Sequence, residues 1–286
     1  MSTCLEVQDP TGDHVQVSVL MATFNAGLTV KAAIDSVLAQ TGVKVELLIA
    51  DGKSSDDTVK ICAAYGARLA YFVSERDSGV YDAWNKLVPH ARGEWLCVLG
   101  ADDVFFDPSS LAGLLRAAQN RPAECRIVYG RLKLVDGSGH VMEELGAPWP
   151  ELAATMRWRM CIPHGGTLHH RDVFRDLGNF NAAYRIAGDY ALIRQETLAR
   201  GAYFAADVVA VRAGWGGMST RPEFEWRAHR EVGQILWRAD RRVPWVWWIR
   251  AAKIALRMAI YRVSGSNGLA RYEQFKLALG LQPGRT

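Results

Sequence analysis

The chain has 286 residues, 49% of them hydrophobic and 22% charged, an ordinary globular composition with enough apolar material for one large domain or two small ones. Its five cysteines (Cys4, Cys62, Cys97, Cys125 and Cys161) are scattered, with no pair at the spacing of a zinc or redox motif, and read as reduced, packed thiols. The net charge of +4 is uneven: residues 221–286 hold 13 Lys/Arg against 5 Asp/Glu, a surplus of +8, which leaves −4 on residues 1–220. Such a body argues against a nucleic-acid binder, and the basic tail is free to meet an anionic surface.

Met1–His14 mixes Glu6, Asp9 and Asp13 with small residues and has no apolar run, so it predicts neither a signal nor a transit peptide and a cytoplasmic chain. Beyond it, apolar β-branched runs alternate with segments of helical period. Val15–Met21, Val45–Ala50, Leu69–Val73 and Trp95–Leu99 read as strands. Between them, Leu28–Gln40 and Val80–Pro89 read as helices, Ser54, Ser55 and Asp56 offer N-caps for a helix through Tyr65, and Pro108 opens another through Gln119. This alternation predicts an α/β fold with a mostly parallel sheet flanked by helices. From Arg126 the pattern changes to a hairpin, with a turn at Asp136–Gly139 and a return through Val141, so the sheet is expected to be mixed. A helix over Asp189–Arg200, a strand over Ala202–Val211, and helical stretches at Pro222–Arg238 and Val243–Arg262 complete the chain.

In an open α/β sheet a ligand sits beyond the carboxyl ends of the strands. Polar or acidic residues follow all of the first strands: Ala22-Thr23-Phe24-Asn25, then Asp51 through Asp56, then Ser74-Glu75-Arg76-Asp77, then Gly100-Ala101-Asp102-Asp103. Asp102 and Asp103 are paired hard-oxygen ligands suited to Mg²⁺ or Mn²⁺ bridging phosphates, unless one of them caps the helix near Pro108. Asp51 reads equally as a ligand contact or as a turn residue before Gly52.

These segments carry a resemblance. Val17–Asn25 is similar to the opening strand of the family 2 glycosyltransferases, with its Thr-Phe-Asn end. Glu46–Thr58 resembles the family's Glu-x-x-x-x-Asp-Gly-x-Ser-x-Asp-x-Thr segment, and Gly93-Glu94-Trp95 leads into Gly100–Asp103 as the family's metal strand does. No Gly-x-Gly-x-x-Gly follows the first strand, as a dinucleotide-binding protein would require. The resemblance implies a GT-A-type fold and an inverting transfer from a nucleotide sugar, a UDP-sugar above all, to a hydroxyl acceptor that is a glycan or lipid-linked. It implies Thr23, Asn25, Asp51 and Ala101 near the nucleotide, and Asp102 as metal ligand with Asp103 alongside, for Mn²⁺ or Mg²⁺. The first acidic position of the family's Asp-x-Asp is Gly100 here. Ser78–Lys86 resembles the segment before the metal strand in one bacterial branch, which implies Asp77, Asn85 and Lys86 near the sugar or ribose. Asp189, after Ala187-Gly188, resembles the catalytic base, although Gly-Asp also suits a helix N-cap. His164 in Ile162–Thr167 is implied as an acceptor contact, and His169-His170 read as a solvated strand end. Gly214–Ser219 resembles a loop that folds over the donor. Many relatives carry a metal-binding His near it, and here the next is His229.

The expected division is a catalytic domain over residues 1–220, with residues 14–110 on the nucleotide-sugar side and 111–220 on the acceptor side, followed by a basic, Trp-rich helical extension over 221–286. Within 243–263, Arg250, Lys253 and Arg257 fall on one helical stripe among tryptophans and aliphatics. That pattern fits peripheral contact with the inner face of the cytoplasmic membrane, or packing on the protein's own body or a partner. Two rival functions are a sugar nucleotidyltransferase, which would need a basic Gly-rich loop after the first strand, and a non-catalytic nucleotide-sugar or membrane-binding module.

Overall fold

The computed structural model describes residues 3–6, 14–214, 222–259 and 263. The chain forms two compact units, Met1–Trp215 and Gly216–Thr286. In the first, β1 (Thr3–Glu6) and β2 (Val17–Thr23) precede α1 (Val30–Leu38), β3 (Val45–Asp51), α2 (Thr58–Ala63), β4 (Tyr71–Ser74), α3 (Val80–Leu87) and β5 (Trp95–Gly100). There follow β6 (Val104–Phe105), α4 (Ser110–Gln119), β7 (Ile127–Val135), β8 (Val141–Leu145), α5 (Trp149–Met156), β9 (Leu168–His170), α6 (Arg171–Leu177), α7 (Gly188–Arg200) and β10 (Tyr203–Gly214). The second unit holds α8 (Pro222–Asp240) and a helix over residues 245–259.

All the strands join one sheet in the order β1-β4-β3-β2-β5-β9-β7-β10-β6, with β8 paired to β7. β2 to β5 run parallel, and β7 and β10 are parallel to each other; β9 lies antiparallel between β5 and β7. Central strands covered on both faces are expected to be continuous apolar runs, and β2 (VSVLMAT) is buried almost throughout. The stripe Val30, Ala33, Ile34 and Val37 of α1, all fully buried at helical spacing, packs on β3 and β6 in the same core. Each such aliphatic side chain contributes about 1.5–3 kcal/mol over an exposed one.

The start of β5 is drawn tight against β2. A Cβ on Gly93 would lie 2.6 Å from the Ser18 amide nitrogen, so only glycine fits there. The Gly93 amide donates to Ser18 Oγ (2.8 Å), which donates to Glu46 Oε1 (2.5 Å), while Arg92 Nε donates to Glu46 Oε2 (2.8 Å). This buried network fixes β2, β3 and β5 in register. As a result Thr23, Asp51 and Ser74 stand side by side, and Gly100 stands beside Ala22. The polar segments noted in the sequence therefore leave the sheet at one edge.

The sequence reading differs from the fold in particular places. Of the caps expected before α2, Asp56 accepts from the Thr58 amide (3.0 Å) while Ser54 and Ser55 bond to the loop after β2, and the helix ends at Ala63, short of Tyr65. His169 is not on a solvated strand end: β9 is inserted into the sheet, His169 is fully buried, and His170 is half-buried against Trp95. Neither Asp102 nor Asp103 caps the helix after Pro108. Asp107 does the local work there, accepting from the Ser109 amide (2.8 Å).

Candidate active site

Asp51 is the hub of the nucleotide side. It is almost fully buried, and its Oδ1 accepts from Thr23 Oγ1 (3.0 Å) and Ser54 Oγ (2.5 Å) while Oδ2 accepts from the Ser54 amide (2.9 Å) and Ser74 Oγ (2.7 Å). Those bonds use the four lone-pair directions of a carboxylate. Asp51 thus holds three loops together, and a ligand group that reached it would replace one of the hydroxyl donors. The loops after β2 and β3 are further laced together. The Asn25 amide donates to Ser54 Oγ (2.8 Å), Asn25 Oδ1 accepts from the Ser55 amide (2.9 Å), and the Gly27 amide donates to Asp56 Oδ2 (2.9 Å). Asn25 (φ 48°) and Lys53 (φ 68°) sit in the left-handed region, a conformation that persists only where surroundings impose it and that gathers at binding sites.

Phe24 is 66% exposed on this edge, an aromatic face that the sequence reading quoted but gave no role. A Cβ on Gly52 would meet both the Phe24 ring (3.3 Å) and Asp77 Oδ2 (2.7 Å), so a bare backbone floors the space between an exposed ring and a carboxylate. Burial pushes the Asp77 carboxyl above its ordinary value, and its Oδ1 accepts from the Gly79 amide (2.9 Å). Asn85 and Lys86, expected near the sugar, have internal partners. Asn85 donates to the Phe180 carbonyl (2.7 Å) and accepts from its amide (3.0 Å), and Lys86 Nζ pairs with Glu75 (2.9 Å) and donates to the Arg76 carbonyl (3.0 Å). Both brace α3 against the loops that flank it.

Ala101 is buried at the end of β5, Asp102 is exposed and Asp103 is half-buried. Gly100 explains how two adjacent carboxylates can act together: the place a Cβ would occupy lies 2.9 Å from Asp102 Oδ1 and 2.7 Å from Asp103 Oδ2. A side chain at position 100 would therefore run into both carboxylates. Burial, and then Asp102, push the Asp103 carboxyl up to about 7. Two hard oxygens converging on one point fit a divalent cation whose other ligands are diphosphate oxygens and water. Among the described residues no group of three or more His, Cys, Asp or Glu could hold a metal ion. His229 lies in the second unit, where it stacks on Trp247 (ring centroids 4.3 Å apart) with Nε2 3.1 Å from the Trp247 carbonyl. Residues 215–219 of the expected donor loop lie outside the described residues.

On the other side, Asp189 stands in the first turn of α7 but is not its cap: Ala187 occupies that place with no side-chain cap. Asp189 Oδ1 accepts from Tyr81 Oη (2.9 Å) and the Tyr190 amide (2.8 Å), and Oδ2 lies 3.4 Å from His164 Nδ1. Gly188 allows this, since a Cβ there would collide with the Tyr81 ring at 2.8 Å. Burial pushes the Asp189 carboxyl up, yet His164, Tyr81 and the Tyr190 amide outweigh it and hold the group below the ordinary carboxylate range. The two sides meet at the turn carrying His164: the Gly166 amide bonds to the Val98 carbonyl (3.0 Å), and a Cβ on Gly165 would lie 3.5 Å from Asp103 Oδ2. Asp103, His164 and Asp189 therefore form one continuous edge.

The chain is similar to known proteins in sequence and in fold. A PGL/p-HBAD biosynthesis glycosyltransferase of Mycobacterium bovis is 29% identical over 179 residues, which are 60% of this chain and 66% of the relative, just under two thirds of its length. Staphylococcus aureus TarS 1–349, solved with UDP-GlcNAc, superimposes with a TM-score of 0.60 at 17% identity, over 79% of this chain and 68% of that one. The mannosyltransferase PcManGT of Pyrobaculum calidifontis, solved with GDP-Man and Mn²⁺, gives 0.59 at 18% identity over 96% and 83%. At such identities these structures speak for the fold alone, which is that of the GT-A glycosyltransferases. The model of the family described as glycosyl transferase family 2 matches residues 18–177, more than half of the chain. On that match this protein belongs to the family 2 glycosyltransferases.

Proposed function

We propose that the protein moves a sugar with inversion from a UDP-sugar to a hydroxyl acceptor, a glycan or a lipid-linked one in envelope glycan synthesis, with Asp189 as the base. The observation that carries this reading is the environment of Asp189: a carboxylate kept ionised by its donors, one oxygen saturated, at the same edge as Asp102 and Asp103. An acceptor hydroxyl is a poor nucleophile at neutral pH, so a positioned carboxylate must take its proton as it attacks. The proton passes to Asp189, the acceptor oxygen bonds to the anomeric carbon, and the bond from that carbon to the diphosphate breaks, its electron pair leaving with the nucleoside diphosphate. A divalent ion held by Asp102 and Asp103 would neutralise charge growing on the diphosphate. Phe24 offers a face for the base ring to stack on, Asn25 and the loops around Asp51 shape the floor beneath it, and Asp77 reaches the ribose or sugar.

Asp189→Asn tests the assignment. With Mn²⁺ and a panel of UDP-glucose, UDP-galactose and UDP-GlcNAc, the variant is expected to release UDP at least about a hundredfold more slowly while still binding UDP. Equal rates for wild type and variant would remove Asp189 from the chemistry.

The acceptor reading extends to the second unit, which we take to rest on an anionic membrane surface through residues 243–263. In the helix at 245–259, Trp245 (72% exposed), Trp248 (62%), Ile249 and Leu256 share one exposed stripe, while Ala251 and Ile254 are buried on the opposite side. Among the described residues no helix is long and apolar enough to cross a membrane.

A further inference from the structure

Behind Asp189 lies a knot of rings for which the transfer chemistry gives no role. His164 meets Trp84 and His169 edge-on, with ring centroids 5.3 Å away in each case, and Phe180 at 6.0 Å. Among the described residues, His164 Nε2 and Trp84 Nε1 are buried without a hydrogen-bond partner. Buried polar atoms without partners are few in folded proteins, and each calls for a physical reason.

The proton on His164 is assigned by its surroundings. Nδ1 faces the Asp189 carboxylate, so a bare nitrogen there would set a lone pair against an anion; Nδ1 carries the hydrogen. Nε2 looks into aromatic rings and has no hydrogen-bond partner beside it. Asp189 Oδ1 already accepts twice, from Tyr81 and the Tyr190 amide, and His164 takes one of the two lone pairs of Oδ2.

We propose that His164 is a positioning residue for the base and not a contact to the acceptor: with Tyr81 it clamps Asp189 so that a single lone pair of Oδ2 is left to receive the proton. The inference rests on Asp189 being the base. The 3.4 Å contact is long for a hydrogen bond, as such contacts often are before substrate tightens them. The titratable groups facing Asp189 are Tyr81 from α3, His164 from the turn before β9, and His169 from β9 behind it. Arg185, just before α7, is turned to the Ser78 carbonyl. Tyr81 also donates to the Ile186 carbonyl (2.6 Å), so its hydroxyl is held from two sides.

Two measurements on the full chain test the clamp. Long-range proton–nitrogen NMR of the labelled protein, with His164 assigned through H164Q, should show the hydrogen on Nδ1 in wild type and a shift toward the Nε2–H form in Asp189→Asn. A wild-type ring protonated on Nε2 overturns the proposal, whatever the activity. The second reading is the pH profile of UDP release from the same donor panel with Mn²⁺. Removing the donor raises the carboxyl pKa, so H164A should move the acid limb of kcat up by about one pH unit and lower the rate near that limb about tenfold, with KM for the donor unchanged. H164Q, which returns an N–H to that place, should recover part of the shift, and retained UDP binding shows that both variants fold. An H164A enzyme with an unmoved pH limb and a raised acceptor KM makes His164 an acceptor contact and ends the clamp. A fast Asp189→Asn enzyme would sink the base assignment itself, a result separate from either of these.

Discussion

Single residues here separate groups that do chemistry from groups that hold the chemistry in place. Asp51 is a buried carboxylate and Asp189 a half-buried one; Asp51 accepts four bonds and has no direction left over, whereas Asp189 keeps one oxygen only partly engaged. His169 is a third case, a fully buried imidazole whose pKa burial pushes down to about 3. Its ordinary value of 6.5 applies in the unfolded chain, so the unfolded state gains a proton first as pH falls. The native state is therefore at full strength above pH 6.5 and loses about 2 kcal/mol through this one group on going from neutral pH to pH 5. Urea unfolding of wild type and His169→Leu at both pH values checks this. The variant should lose less stability on acidification, and an identical loss in both would show that His169 is not the acid-sensitive group.

At the scale of elements, α3 is the bridge between the two halves of the site. Tyr81 reaches Asp189, Asn85 clasps both backbone groups of Phe180, and Lys86 pairs with Glu75 beyond β4. Asn85→Ala removes two hydrogen bonds from the loop before α7 and should cost about 1–3 kcal/mol in unfolding free energy. It should also speed proteolysis between Leu177 and Gly188, with the rest of the chain protected; uniform protection would mean the loop is held by other contacts. The sequence made the strand ends legible, because apolar runs ending in Thr23, Asp51 and Gly100 announce both the sheet and its functional edge. It did not make β9 legible: three residues are too short for a period, and His169 is tolerated in the core only through tertiary packing. Nor could spacing show that Asn85 serves a loop 95 residues away, or that Asp102 and Asp103 both close on the bare backbone of Gly100. Those are facts of register and of missing Cβ atoms, invisible to a linear pattern.

For the whole molecule the decisive quantity is the distribution of charge. The surplus of +8 on residues 221–286 stands against −4 on the rest, and in the second unit it accompanies an exposed apolar stripe. Trp247 turns inward, stacked on His229 and lying over Gly233, and Arg257 pairs with Glu225, so the inner side of the helix at 245–259 is committed to α8. Trp245, Trp248, Ile249 and Leu256 point elsewhere, and Trp237 of α8 is exposed as well. Tryptophan beside cationic side chains is the composition of a bilayer interface, where the rings lie at headgroup depth and each cation near an anionic surface adds about 1 kcal/mol. The full chain should therefore sediment with phosphatidylcholine vesicles containing phosphatidylglycerol and not with phosphatidylcholine alone, and rising salt should release it. Replacing Trp245 and Trp248 together by serine should weaken vesicle binding at least about tenfold, since burial of either ring outweighs 1.4 kcal/mol, while UDP binding is retained. Vesicle binding that ignores salt and both tryptophans would point to another surface. A loss of binding that is matched by a change from dimer to monomer would assign the stripe to a second copy of the chain instead.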